Sequence, residues 1–96
     1  MNGLGRVEFK VPGGKLIAAE AEAEGGRIVR VKITGDFFMH PEEAIEELEV
    51  SLTGVPEDER SLEEAVNGFF GGRSIELIGV SPGDFVHVIR MSLRSP

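Results

Sequence analysis

The side chains of this sequence that could do chemistry are few and scattered. The triplet Gly13-Gly14-Lys15 resembles a fragment of a phosphate-binding loop, but it lacks the leading glycine and the hydroxyl residue after the lysine. A hairpin turn followed by a strand lysine is the simpler interpretation. Asp36, His40 and Glu43 could converge on a metal ion, but two histidines without a cysteine leave a zinc ligand set incomplete.

The sequence also lacks the side-chain sets of the common catalytic centres. It contains no Gly-x-Ser-x-Gly motif, and no cysteine is available to pair with a histidine. We therefore predict no catalytic residue, no metal site and no cofactor bound by the chain alone. A net charge of −7 disfavours nucleic acid as a partner, because a phosphate backbone needs a basic surface, whereas an acidic surface suits a basic protein.

Length and composition predict one domain over residues 1–96. No apolar run approaches the ~20 residues of a membrane-spanning helix, and the N-terminus lacks the apolar core of a signal peptide. Because cysteine is absent as well, we expect a cytoplasmic protein without a membrane partner. Glutamine, tyrosine and tryptophan are also missing while glutamate and arginine are plentiful, a bias typical of thermophiles.

Three runs alternate apolar and polar residues with the period of two that predicts half-buried strands, over 6–11, 15–24 and 27–34. Gly25-Gly26 lies between the second and third runs and is typical of a type I′ hairpin. The alanines at alternate positions 19, 21 and 23 predict a helix lying close over the second strand. In the third run, Val29, Val31 and Ile33 are expected to share one face.

Three helices are predicted after the strands, over about 41–53, 61–70 and 82–93. Pro41 at a first helical position and His40 near the N-cap indicate the first start. Ser61 and Glu64 form a capping box for the second helix, and Ser81 caps the third. Residues 75–78 are either an extended stretch or a short strand. The predicted fold is α+β, a three-stranded antiparallel meander with helices packed on one face.

The stretch between the third strand and the first helix is the predicted partner interface. Phe37 and Phe38 are neighbours along the chain, so we expect one ring to point inward and the other outward. Asp36 is expected to accept hydrogen bonds from the amides that start the helix and so to hold this turn. The outward ring, rimmed by Met39 and His40, is the predicted anchor for a partner protein.

Several motifs together resemble a known family. They are Pro-Gly-Gly-Lys-Leu at 12–16, the Gly25-Gly26 hairpin, Ile-Thr-Gly-Asp-Phe-Phe at 33–38 followed by His-Pro-Glu-Glu at 40–43, and Gly-Val-Ser-Pro-Gly-Asp-Phe at 79–85. The chain, over about residues 6–93, resembles the C-terminal accessory domain of lipoate–protein ligases. The fold is also similar to that of iron–sulfur scaffold proteins, but that function needs cysteines, which are absent here.

The resemblance implies the small, stand-alone subunit of a two-protein ligase. Its partner, the catalytic chain, would bind ATP, Mg²⁺ and lipoate, form lipoyl-AMP and pyrophosphate, and transfer the lipoyl group to a lysine of a lipoyl-domain protein. The small chain would not be an enzyme by itself, but docking could lend Lys15, with Gly13 and Gly14, to the activation step. The alternative is an adaptor that stabilises the ligase or recruits the lipoyl domain without contributing to chemistry.

Overall fold

The computed structural model describes residues 6–94 and confirms the predicted α+β class. The elements in chain order are β1 (Val7–Lys10), β2 (Leu16–Glu24), β3 (Arg27–Gly35), β4 (Phe38–His40), α1 (Ala44–Leu52), α2 (Glu59–Gly71), β5 (Glu76–Ile78) and α3 (Pro82–Arg94). An antiparallel sheet has the order β1-β2-β3, as the meander predicts. A separate antiparallel ribbon pairs β4 with β5, so the stretch over 75–78 is a short strand.

The hairpin between β2 and β3 turns at Gly25-Gly26, as predicted. The two glycines have φ values of 59° and 81°, and a type I′ turn needs positive φ at both central positions. Residues with a Cβ adopt that conformation only at a cost, which explains the glycine pair.

The expected alternation of β3 is wrong at Val29. The cross-strand register shifts opposite Glu22/Ala23, so that Val29 is an extra residue on its strand, which is a β-bulge. As a result Ile28 and Val31 both face the core at 0% and 7% exposure, while Val29 is 42% exposed. A simple period of two cannot reveal such a shift, because the extra residue reverses which face the following side chains occupy.

The core lies between the three-stranded sheet and the helices. Helix α3 crosses β1 and β2, α1 packs on β3, and α2 packs against both other helices. The fully buried side chains of this core are Ile17, Ile28, Leu48, Leu52, Leu62, Val66, Phe85, Val88 and Ile89.

Helix α3 approaches β2 as closely as the small alanines predict. The hydroxyl of Ser92, which is 1% exposed, accepts a hydrogen bond of 2.8 Å from the backbone N–H of Ala21. Strand β1 pairs with β2 only as far as Ala19, so Ala21 lies in a part of β2 that has no partner in β1. The serine thus gives a buried backbone donor the acceptor that it needs.

The first helix is shorter than predicted, Ala44–Leu52 in place of 41–53, and Pro41 is not its first residue. The chain is still extended in β4 as far as His40, and residues 41–43 then form a turn in which the Ala44 N–H donates to the Pro41 carbonyl. His40 is therefore not near the N-cap. The N-cap position is held by Glu43, whose side chain makes no capping hydrogen bond.

The second helix begins before the predicted capping box, at Glu59 with Asp58 as its N-cap. The Asp58 carboxylate accepts hydrogen bonds of 2.8 Å and 2.9 Å from the backbone N–H and the hydroxyl of Ser61. These bonds stabilise the ionised form and hold the pKa of Asp58 below its usual value. Ser61 is thus a donor to the cap and not the cap itself, because a carboxylate three residues earlier takes its amide.

The third helix starts as predicted. The backbone N–H of Ser81 donates to the carboxylate of Asp84 at 2.8 Å, and the Ser81 hydroxyl donates to the same oxygen at 3.0 Å. Pro82 occupies the first helical position, where its missing N–H costs nothing. None of the helices within residues 6–94 combines the length and apolar character needed to cross a membrane.

Candidate partner-docking surface

The ribbon of β4 and β5 carries an exposed apolar pair. Phe38 and Ile78 are direct cross-strand partners and are 48% and 54% exposed. Side chains alternate along a strand, so the next cross-strand pair, Met39 and Leu77, points to the opposite face of the ribbon. Four large apolar side chains are exposed in the described part of the chain. Two of these four, Phe38 and Ile78, lie side by side and form one apolar patch.

The two neighbouring phenylalanines point in opposite directions, as predicted. The Phe37 ring meets the buried Phe85 ring edge to face at a centroid distance of 5.5 Å. The Phe38 ring is the outward one and lies parallel to the His40 ring at 6.4 Å. The expectation that Met39 rims the exposed ring at the surface is wrong, since Met39 is 4% exposed and belongs to the core.

The strand β4 explains this arrangement and was not predicted. Because residues 38–40 form a strand, alternation turns Phe38 and His40 outward and Met39 inward. Their cross-strand partners Ile78 and Glu76 complete what we call the ribbon face, which consists of Phe38, His40, Glu76 and Ile78. Ile78 was missed as a surface residue, although the alternation of 76–78 was the signal that could have placed it outward.

Asp36 does hold a turn, but not the one expected. Its carboxylate accepts a hydrogen bond of 2.8 Å from the backbone N–H of Leu16, and its own N–H donates to the Leu16 carbonyl at 3.1 Å. The expected contact with the amides at the start of α1 is absent, because β4 separates Asp36 from that helix. Asp36 therefore ties the end of β3 to the start of β2, immediately after Lys15.

Lys15 lies at the end of the hairpin connection between β1 and β2. The Gly14 N–H donates within the turn to Val11, and the Lys15 N–H donates to the Gly79 carbonyl at 2.9 Å. These two amides are therefore engaged within the fold, unlike the free amides of a phosphate-binding loop. Lys15 is exposed, so its ammonium is available for a phosphate.

The side-chain stem of Lys15 is packed on Gly79. Gly79 has a φ of 93°, and a Cβ built there would overlap the Cγ atom of Lys15. Gly79 directly follows Ile78 of the ribbon face, so Lys15 lies beside the end of the ribbon. The fold thus brings together the two separate stretches that the sequence singled out, the lysine turn and the phenylalanine stretch.

The same geometry bears on the metal hypothesis. Among the residues that the structure describes, no three His, Asp or Glu side chains are grouped so that they could hold a metal ion. Asp36 is engaged with Leu16, and His40 lies on the ribbon face. The three side chains Asp36, His40 and Glu43 do not converge.

Comparison with known proteins identifies the family of the chain. The model of the family described as bacterial lipoate protein ligase C-terminus matches residues 6–89. Lipoate-protein ligase A subunit 2 of Thermoplasma acidophilum is 33% identical over 76 residues, which are 79% of this chain and 78% of that protein.

A solved structure has the same fold. It is a chain from the structure of a bipartite lipoate protein ligase and its E2 lipoyl domain from Thermoplasma acidophilum. The TM-score is 0.74 at 28% identity, and the match covers 88% of this chain and 97% of that chain. Since the family model spans most of the sequence, this chain belongs to the lipoate–protein ligase C-terminal family.

Proposed function

We propose that the chain is the non-catalytic subunit of a two-component lipoate–protein ligase and that its partner cannot activate lipoate without it. In the activation step, the lipoate carboxylate attacks the α-phosphorus of ATP, pyrophosphate leaves, and lipoyl-AMP is formed. The catalytic chain binds ATP, Mg²⁺ and lipoate, and later transfers the lipoyl group to a lysine of a lipoyl domain. The relative named as subunit 2 and the bipartite neighbour support this assignment.

The main support for this proposal is that the exposed pair Phe38 and Ile78 lies beside Lys15. An aromatic side chain that is half exposed on a rigid strand is typical of an interface anchor. The ribbon is held in place from beneath, because Met39 is buried in the core. Docking through this face brings Lys15 to the margin of the contact, since its stem rests on the residue that follows Ile78.

Such docking helps the activation step in two ways. Adenylation concentrates negative charge on the reacting phosphate. Positioned cations stabilise this charge, and water would screen their attraction to it. A small domain that covers the catalytic pocket excludes water and orders the surrounding loops, as a lid does. The exposed ammonium of Lys15 adds a positive charge at the edge of that lid.

The competing function is an adaptor that recruits the lipoyl domain or stabilises the catalytic chain. The two functions differ in the half-reaction that they affect. An activating subunit is needed to make lipoyl-AMP but not to transfer the lipoyl group from preformed lipoyl-AMP. An adaptor that recruits the lipoyl domain has the opposite effect.

The experiment therefore measures both half-reactions of the catalytic chain, with and without this chain. We expect pyrophosphate release from ATP and lipoate to require both chains. We expect the transfer of lipoate from supplied lipoyl-AMP to a lipoyl domain to proceed with the catalytic chain alone. Transfer that needs this chain, with activation that does not, supports the adaptor instead.

We place the pair in the cytoplasm, as expected from the absence of cysteine.

A further inference from the structure

A groove of about 900 Å³ runs between α1 and the strands β3 and β4. Its lining includes the buried side chains Ile33 and Met39 and the half-buried Phe37 and Ile45, so part of its wall is apolar. Phe38 and His40 line the groove and also belong to the ribbon face. The groove is therefore continuous with the proposed docking surface.

The charged residues of the groove are mostly acidic. Four glutamates and one lysine line it, namely Glu42, Glu43, Glu46, Glu49 and Lys32. The Glu49 carboxylate is used by the fold, because it accepts a hydrogen bond of 2.7 Å from the backbone N–H of Ile33. The carboxylates of Glu42, Glu43 and Glu46 are exposed, and within residues 6–94 none of them makes a hydrogen bond or an ion pair.

The other glutamates of the described chain show that this concentration is unusual. Six of them pair with arginines at nitrogen–oxygen distances of 2.9–3.9 Å, but none of these pairs lies among the groove residues. Glutamates three and four positions apart at the start of a helix repel one another. The helix dipole offsets part of this repulsion, and a cation from outside would offset more of it.

We infer that the groove binds a basic segment of the catalytic chain, with an apolar side chain on the Phe38 ring and flanking lysines or arginines against Glu42, Glu43 and Glu46. This inference rests on the proposed function. The catalytic chain is the occupant because the groove shares Phe38 and His40 with the ribbon face. The net charge of −7 on the whole chain also favours a partner with a basic surface.

Electrostatic docking of this kind has a measurable signature. Exposed charge pairs are screened by salt, since the Debye length falls from about 14 Å near 50 mM to about 6 Å near 300 mM ionic strength. The affinity for the catalytic chain should therefore fall as salt rises, and the groove carboxylates should account for much of that dependence. The apolar contact at Phe38 should depend on salt far less.

The test is calorimetric titration of the catalytic chain with the triple variant E42Q/E43Q/E46Q at about 50 and 300 mM NaCl. Glutamine keeps the size and helix propensity of glutamate and removes only the charge. We expect the Kd at the lower salt to rise about 10-fold or more and to become nearly independent of salt. The matched control E24Q/E57Q/E63Q removes three exposed, unpaired carboxylates outside the groove, and its Kd should change by much less.

Three results would overturn the inference. One is a folded triple variant, checked by thermal melting, that keeps the Kd and salt dependence of the wild type. A second is a control variant that loses as much affinity as the groove variant. The third is a groove variant that loses affinity for the lipoyl domain and not for the catalytic chain. If the wild-type chain forms no complex with the catalytic chain at all, the proposed function fails together with this inference.

Discussion

The substitution Phe38→Ala isolates the outward ring of the ribbon face. A phenylalanine side chain has about 200 Å² of surface, so the exposed 48% corresponds to about 100 Å² that docking can bury. At about 25 cal/mol per Å², burial of that area contributes about 2.5 kcal/mol to the complex. The Kd for the catalytic chain should therefore rise roughly 60-fold. Folding should lose only about 1 kcal/mol, because the ring already lies half in water.

Calorimetric binding and thermal melting of three variants test this prediction. Phe37→Ala should do the reverse of Phe38→Ala, because the Phe37 ring packs on Phe85. We expect it to lose about 2–3 kcal/mol of folding stability, somewhat less than a fully buried ring would lose. Val50→Ala is the matched control, since Val50 is 73% exposed on α1 and belongs to neither the ribbon face nor the groove. It should change neither quantity.

Three outcomes would refute this reasoning. If folded Phe38→Ala binds the catalytic chain as tightly as the wild type does, the ribbon face is not the contact. If Val50→Ala weakens binding as much as Phe38→Ala does, the catalytic chain also contacts the exposed side of α1 and the ribbon face is not the specific docking surface. Loss of stability in both phenylalanine variants without a proportional loss of affinity would assign the whole turn to the core.

Three further predictions concern single side chains. Lys15→Ala should slow pyrophosphate release by about 100-fold with an unchanged Kd, whereas Lys10→Ala, which loses only a bond to the neighbouring turn carbonyl, should have little effect. Ser92→Ala should cost about 1–3 kcal/mol in urea unfolding, because the buried N–H of Ala21 loses its acceptor. Asp58→Ala should lower the melting temperature at pH 7. That difference should begin to shrink as the pH falls below about 4, and its charge-dependent part should be lost as the pH falls through the depressed pKa of Asp58.

Much of the fold was predictable because it follows from local patterns. The three runs that form β1, β2 and β3 were predicted from their alternation, although β3 departs from it at Val29, and Gly25-Gly26 supplies the positive φ values of the tight turn between β2 and β3. The start of α3 was equally clear, since Ser81 and Asp84 interact within one helical turn. In these cases the residues that decide the structure are neighbours in the sequence.

The errors arise where distant residues decide. Strand β4 has three residues and exists because it pairs with β5, which lies beyond two helices in the sequence. The bulge at Val29 depends on the register with the opposite strand and not on the residues around it. The start of α2 is the exception, because it is decided locally: Asp58 and Ser61 are both good caps, and the Asp58 carboxylate takes the Ser61 amide.

The candidate site was predictable to a similar degree. Alternation alone predicts that Phe37 and Phe38 diverge, but which ring is outward follows from the pairing of β4 with β5. The contact between Lys15 and Gly79 joins segments far apart in the chain, so no local pattern contains it. The partner of Asp36, which is the backbone of Leu16, was missed for the same reason.

Whether the small chain is required for activation is tested by ATP–pyrophosphate exchange with lipoate, measured as this chain is titrated into a fixed amount of the catalytic chain. We expect no exchange by either chain alone. Exchange should rise as this chain is added and saturate at one small chain per catalytic chain. Full exchange by the catalytic chain without this chain, or any exchange by this chain on its own, would show that the proposed function is wrong.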